Sequence, residues 1–136
     1  MTKTVKILIA VIIVIVLGAS GAIAFVLTRN TSEREEPRFI YDPGTSFITN
    51  VQEDSSLAKT TLVIQVIGAK TLAALTEDSV KVNDSIISVL REKTKDEMTS
   101  PEIQERLKVE ICERLEQDLN IEGIETIYFS EFVVTN

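Results

Sequence analysis

The spacing of apolar residues changes several times along this 136-residue chain, and each change predicts an element. From Ile7 to Leu27 the sequence ILIAVIIVIVLGASGAIAFVL contains no charge. At about 1.5 Å per residue it makes a helix of about 31 Å, the thickness of a bilayer's hydrocarbon core. Thr28–Ser46 carries Pro37, Pro43, Gly44 and a burst of charge, which predicts a linker over 28–46. Within it lies the apolar triplet Phe39, Ile40 and Tyr41, which either docks on the domain or meets a partner.

Period-two spacing begins at Phe47. A short strand over Phe47–Val51, a polar turn over Gln52–Ser56 and a longer strand over Lys59–Ile67 read as an antiparallel hairpin. Leu62, Ile64 and Val66 share one face of the longer strand. Thr61, Val63, Gln65 and Ile67 share the other, which is therefore half-covered. From Thr71 the period becomes three to four: Leu72, Leu75, Val82, Ile86, Val89 and Leu90 predict a helix of about 20 residues. The polar run Thr76–Ser79 bends or divides it.

After a polar connection, Ser100-Pro101-Glu102 has the composition of a helix start, with a capping hydroxyl, a first-turn proline and an acid at the positive end. Ile103, Leu107, Ile111, Leu115 and Leu119 then form a stripe at spacing four. Glu102–Arg106 and Glu110–Arg114 stand at i, i+4 on the outer face. Asn120–Gly123 is a turn, and Ile124–Val134 a last strand. In that strand Ile127 and Phe129 fall in one phase, Phe132 and Val134 in the other. Either a bulge at Ser130-Glu131 switches the faces, or the strand is central and covered on both sides. The central placement is the one expected here, with a fold that fails if the chain stops before Tyr128.

These elements define an α+β class: one N-terminal transmembrane helix, then a small domain of about three antiparallel strands and two main helices. The organisation is a stub over 1–6, a span over 7–27, a linker over 28–46 and a domain over 47–136. The expected core is Leu62, Ile64, Val66, Ile86, Leu90, Leu107, Ile111, Leu115, Phe129 and Phe132. The small residues Gly18–Ala22 mimic a signal-peptide cleavage site, but the apolar run continues through Leu27, so a retained anchor is expected. Gly18-x-x-x-Ala22 would let two such helices approach closely, although small residues are common in membrane helices generally. The stub is placed in the cytoplasm and the domain outside, although Lys3 and Lys6 before the span nearly balance Arg29, Arg34 and Arg38 after it.

Charge narrows the partners. Residues 1–30 hold three basic and no acidic groups; the remainder holds 21 acidic against 11 basic, a net of −10. Such a surface does not suit nucleic acid or an anionic lipid surface.

Catalytic chemistry finds little support. There is no histidine, the commonest general base and metal ligand. The single cysteine, Cys112, lies beside the apolar stripe and reads as a buried thiol. The five glycines are too scattered to cradle a phosphate. The adjacent acids Glu53-Asp54 and Glu77-Asp78 read as solvated turns, a Ser85–Lys81 pair lacks a nucleophile elbow, and Asp96-Glu97 lacks the spacing of a calcium loop. No catalytic residue, metal site or cofactor is expected: the outline is that of an anchored interaction protein, not an enzyme.

Four stretches in order give that outline a family resemblance. They are Phe47-Ile48-Thr49-Asn50-Val51, then Asp84-Ser85-Ile86-Ile87-Ser88-Val89-Leu90 with Lys93-Thr94. Ser100-Pro101-Glu102 with Leu107-Lys108-x-x-Ile111 follows, and last Tyr128-Phe129-Ser130-Glu131-Phe132-Val133-Val134. Together, behind one anchor, they resemble the flagellar basal-body-associated FliL family. Val51, Asn83, Met98 and Thr135 depart from the family's usual residues, and only Asn83, where a basic residue is frequent, changes chemical class. The resemblance implies a single-pass inner-membrane protein at the flagellar basal body, with a domain like the stomatin/prohibitin (SPFH) domain. It further implies a homo-oligomeric ring around the stator proteins MotA and MotB that stabilises their active state and supports torque, swimming and swarming. Phe39, Ile40 and Tyr41 would then face the stator. A pilin-like anchored subunit is the alternative, weakened because the span has no acid.

Overall fold

A computed structural model describes residues 2–30 and 35–135, with the backbone alone for 24–30. The chain divides into two units, 1–35 and 36–136. The first is a helix, α1 (Lys3–Asn30), whose stretch Lys3–Ile23 is long and apolar enough to cross a membrane. The helix thus runs through the first three residues of the expected linker, whose residues 31–34 lie outside the described ones.

The second unit is a sheet layered on helices. Its strands are β1 (Arg38–Tyr41), β2 (Phe47–Asn50), β3 (Leu57–Ile67) and β4 (Ile124–Thr135). All pair antiparallel to β3. On one edge of β3, β2 takes the first half (Phe47 opposite Thr60, Asn50 opposite Leu57), and β1 takes the second (Arg38 opposite Ile67, Tyr41 opposite Ile64). The other edge belongs to β4 along almost its full length. The central strand is therefore β3. β4 is an edge strand, which corrects the central placement expected from its two apolar phases.

A bulge is what reconciles those phases. Thr61 pairs with Glu131 but Leu62 with Phe129, so Ser130 is an inserted residue. A second shift, between Gln65–Thr126 and Val66–Ile124, makes Glu125 another. With one extra residue at each site, Ile124, Ile127, Phe129, Phe132 and Val134 all oppose the inward positions of β3. The sheet also has four strands rather than three, because part of the expected linker, Arg38–Tyr41, is paired into it.

Four helices stand between β3 and β4: α2 (Ala69–Glu77), α3 (Ser79–Arg91), α4 (Lys95–Met98) and α5 (Ile103–Leu119). The polar run at 76–79 divides α2 from α3 at Asp78, whose N–H still donates to the Ala74 carbonyl. α5 starts at Ile103, two residues after the start expected at Pro101, and the capping box lies on the separate short helix before it. Thr94 and Glu97 form the capping box of α4, with the Glu97 N–H donating to Thr94 Oγ1 and the Thr94 N–H to the Glu97 carboxylate. Ser100-Pro101-Glu102 instead makes a turn before α5, and Glu102 caps nothing with its side chain. At its other end α5 closes on Asn120 in the left-handed region, with the Ile121 N–H reaching the Glu116 carbonyl.

The core lies between the inward sheet face and the stripes of α3 and α5. Leu62, Ile64, Val66, Ile86, Leu90, Leu107, Ile111 and Leu115 are buried there with Met98, Ile103 and Ile127. Phe129 and Phe132 are half-buried and pack at its margin. Two hydroxyls on the inward face, Thr49 Oγ1 and Thr60 Oγ1, are buried without a hydrogen-bond partner among the described residues. A buried unpaired hydroxyl costs on the order of 1–3 kcal/mol, and valine has the same shape. Thr60→Val should therefore raise stability by about 1 kcal/mol, read as a higher urea midpoint with unchanged slope.

Candidate functional site

The polar groups of the domain are spent on structure. Ser85 Oγ donates to Asp118 Oδ2 at 2.6 Å, which ties α3 to α5 and removes Ser85 from any partnership with Lys81. Lys93 is nearly buried and its ammonium meets Glu110 Oε2 at 2.5 Å. The expected partners on α5 are exchanged: Arg114 bonds Glu92 at 3.0 Å, and Arg106 lies near Glu97 and, at i, i+4, near Glu110. Burial, with Glu116 and Glu113 nearby, pushes the Cys112 thiol up to about 11, so it stays protonated and unreactive at neutral pH. A cleft of about 790 Å³ between α2 and α5 is bordered by Lys70, Glu113, Glu116 and Glu122, with no convergence of nucleophile and base.

The surface of the sheet facing away from the helices is different. Its rows are Arg38, Ile40, Ile48 and Asn50 on β1 and β2, the residues Ile67, Gln65, Val63, Thr61, Lys59 and Leu57 on β3, and Thr126, Tyr128, Glu131, Val133 and Thr135 on β4. Both bulges serve this surface. Glu125 receives the Arg38 guanidinium at 2.8 Å and the Gln65 amide, spanning three strands. Those hydrogen bonds, Gln65's first and Arg38's second, hold its carboxyl below the usual range. Ser130 Oγ donates to the Thr61 carbonyl, and Glu131 pairs with Lys59 at 3.1 Å. Across the Ser130 bulge the rings of Phe129 and Phe132 meet edge to face, centroids 5.7 Å apart.

The triplet expected to meet a partner is divided by this arrangement. Tyr41 is buried and the half-buried Phe39 packs on the core, as the docking alternative expects, whereas Ile40 points outward from the sheet. Burial, and then Asp42, raises the Tyr41 phenol.

The family described as "Flagellar basal body-associated protein FliL" matches residues 40–134, from β1 to the end of β4. The chain belongs to the FliL family. A protein of Aquifex aeolicus (strain VF5), named "Flagellar protein FliL", is 28% identical over 101 residues, covering 73% of this chain and 63% of that protein. The chain thus spans a little under two thirds of that relative's length.

The FliL resemblance read from the sequence is therefore correct, and the matching family is described as flagellar basal body-associated. In this FliL-family fold the C-terminal Tyr-Phe-Ser-Glu-Phe-Val stretch is the bulged edge strand. Its phenylalanines face the core margin and its Tyr128, Glu131 and Val133 face outward. Asn83, the departure that changes chemical class, has a buried Oδ1 with no hydrogen-bond partner among the described residues. The outward surface was only half legible in the sequence. Val63 and Ile67 among Thr61 and Gln65 showed a half-covered phase on β3, but Ile48, Tyr128 and Val133 join it only once register and bulges are known.

Proposed function

We propose that this protein is a flagellar motor accessory that surrounds the stator as a membrane-anchored ring and stabilises its active state. The reading is carried by the FliL match over residues 40–134 together with an apolar N-terminal helix of spanning length. Residues 1–6 form a cytoplasmic stub, 7–27 cross the inner membrane once, and the domain stands outside the cytoplasm, shaped like an SPFH domain. Copies associate with one another and with MotA and MotB. The mechanism is binding: preferential affinity for the active stator form shifts its population, and no bond is made or broken. Deleting the gene should reduce spreading in soft agar and swimming in viscous medium, and plasmid-borne full-length protein should restore both. Unchanged motility in both media would remove the stator role.

A further inference from the structure

Seven large apolar side chains of the domain are more than 40% exposed, and five share the outward sheet surface: Ile48 at 63%, Ile40 at 53%, Tyr128 at 48%, Leu57 and Val133 at 43%. The other two, Val80 and Val109, stand on different helices. Apolar exposure gathered in this way marks an interaction surface, whereas isolated exposed residues do not.

The dimensions select the shape of what covers it. Three strand rows put the outer strands about 10 Å apart, and the eight steps from Gln65 to Leu57 run about 26 Å. One α-helix of about 18 residues, 10–12 Å across, fills that area. Sheets take helices on their faces for the same reason, and the inward face already carries them.

Charge selects the chemistry. The charged side chains within the surface, Arg38 with Glu125 and Lys59 with Glu131, are already joined in ion pairs. Exposed acids flank its strands along the chain: Glu36 two residues before β1, Asp42 directly after it, and Glu53 and Asp54 in the turn between β2 and β3. Asp54 shares Lys95 at 3.7 Å, and the domain as a whole has a net charge of −10 from 21 acidic and 11 basic residues after residue 30. A second copy brings the same acids to the contact and is repelled; a basic partner is attracted and oriented.

We infer that the outward sheet surface is the docking site for an amphipathic helix of an unlike protein, with an apolar stripe along β3 and Lys or Arg near both ends. This goes beyond the ring reading and leaves the contacts between copies to other surfaces.

The test places a benzophenone amino acid at Ile48 and, separately, at Tyr128 in the full-length chain in its native membrane, with Val80 as control position. Irradiated adducts are mapped by peptide mass spectrometry. The expected adducts from both surface positions fall within one segment of an unlike protein that has helical apolar spacing and basic flanks, and Val80 does not give them. Ile48→Glu and Val133→Glu should each lower the Tyr128 adduct at least tenfold without changing the thermal midpoint, while Val80→Glu leaves it unchanged. Adducts with a second copy, with lipid, with an acidic or unpatterned segment, or with no protein at all overturn the inference. A self-adduct would at the same time support assembly of copies, so the docking site and the ring fail separately.

Discussion

A chain ending at Thr126 should not fold cooperatively. Truncation there removes Ile127, which is fully buried, and Phe129, Phe132 and Val134, which pack against the core. It also strips most of one edge of β3, the strand on which every other strand is registered. Losing one buried large side chain costs about 2–5 kcal/mol, and a domain's whole stability is about 5–15 kcal/mol. The losses of Ile127, of the packing of three partly buried side chains and of the ladder on that edge together exceed it. Hydrogen exchange should show residues 36–126 unprotected and urea titration should show no sigmoidal transition. Val133→Ser, on the exposed side of the same strand, should shift stability by no more than about 0.5 kcal/mol. The expectation of failed folding matches the one drawn from sequence, but the reason has changed. The strand is indispensable because it is the only one covering the second edge of β3 among the described residues.

Gly123→Ala should be the most damaging single methyl in the domain, at about 2–4 kcal/mol. Gly123 has φ +98°, a conformation a side chain resists. A Cβ built there stands 2.7 Å from Thr71 Oγ1 and 3.0 Å from the Ile67 carbonyl oxygen. Neither neighbour is free to move. Thr71 Oγ1 donates to the Glu122 carbonyl at 2.8 Å, and the Ile67 N–H donates to the Gly123 carbonyl at 2.7 Å. This point joins the end of β3, the start of α2 and the entry to β4. Thr71→Ala alone should cost about 1 kcal/mol for the lost hydrogen bond. Combined with Gly123→Ala, it should relieve the side-chain clash but leave the backbone cost, so the double variant is less destabilised than the two losses added. Full additivity in urea melts would show that contact with Thr71 plays no part.

Elements governed by one strong period were legible in the sequence. The stripe Ile103, Leu107, Ile111, Leu115 and the alternation Leu62, Ile64, Val66 depend on local geometry, and the buried side chains stand on those faces. The break at Asp78 was also legible, since a polar run interrupts the period there. What depended on pairing was not. Arg38–Tyr41 sits between Pro37 and Pro43, so its local context reads as linker, and only the vacant half of a long β3 makes it a strand. The start of α5 was legible to within two residues: Ser100-Pro101-Glu102 stands just before Ile103 without a side-chain cap, while the reciprocal Thr94-x-x-Glu97 signature starts the separate short helix α4. The outward surface needed the most information. Its residues come from four strands and meet only through a register containing two shifts.

Those shifts bear on which length changes the last strand tolerates. Inward residues fall at 124, 127, 129, 132 and 134, a spacing of three, two, three, two. Removing Glu125 or Ser130 would turn the neighbouring three into a two and leave every inward side chain on its face. The two residues are thus dispensable for the inward pattern, and their contribution is to the opposite side of the sheet. One anchors a bond across three strands and the other bonds the Thr61 carbonyl while bending the strand. A homologue shorter by one residue at either place would keep this core and present a flatter outward surface.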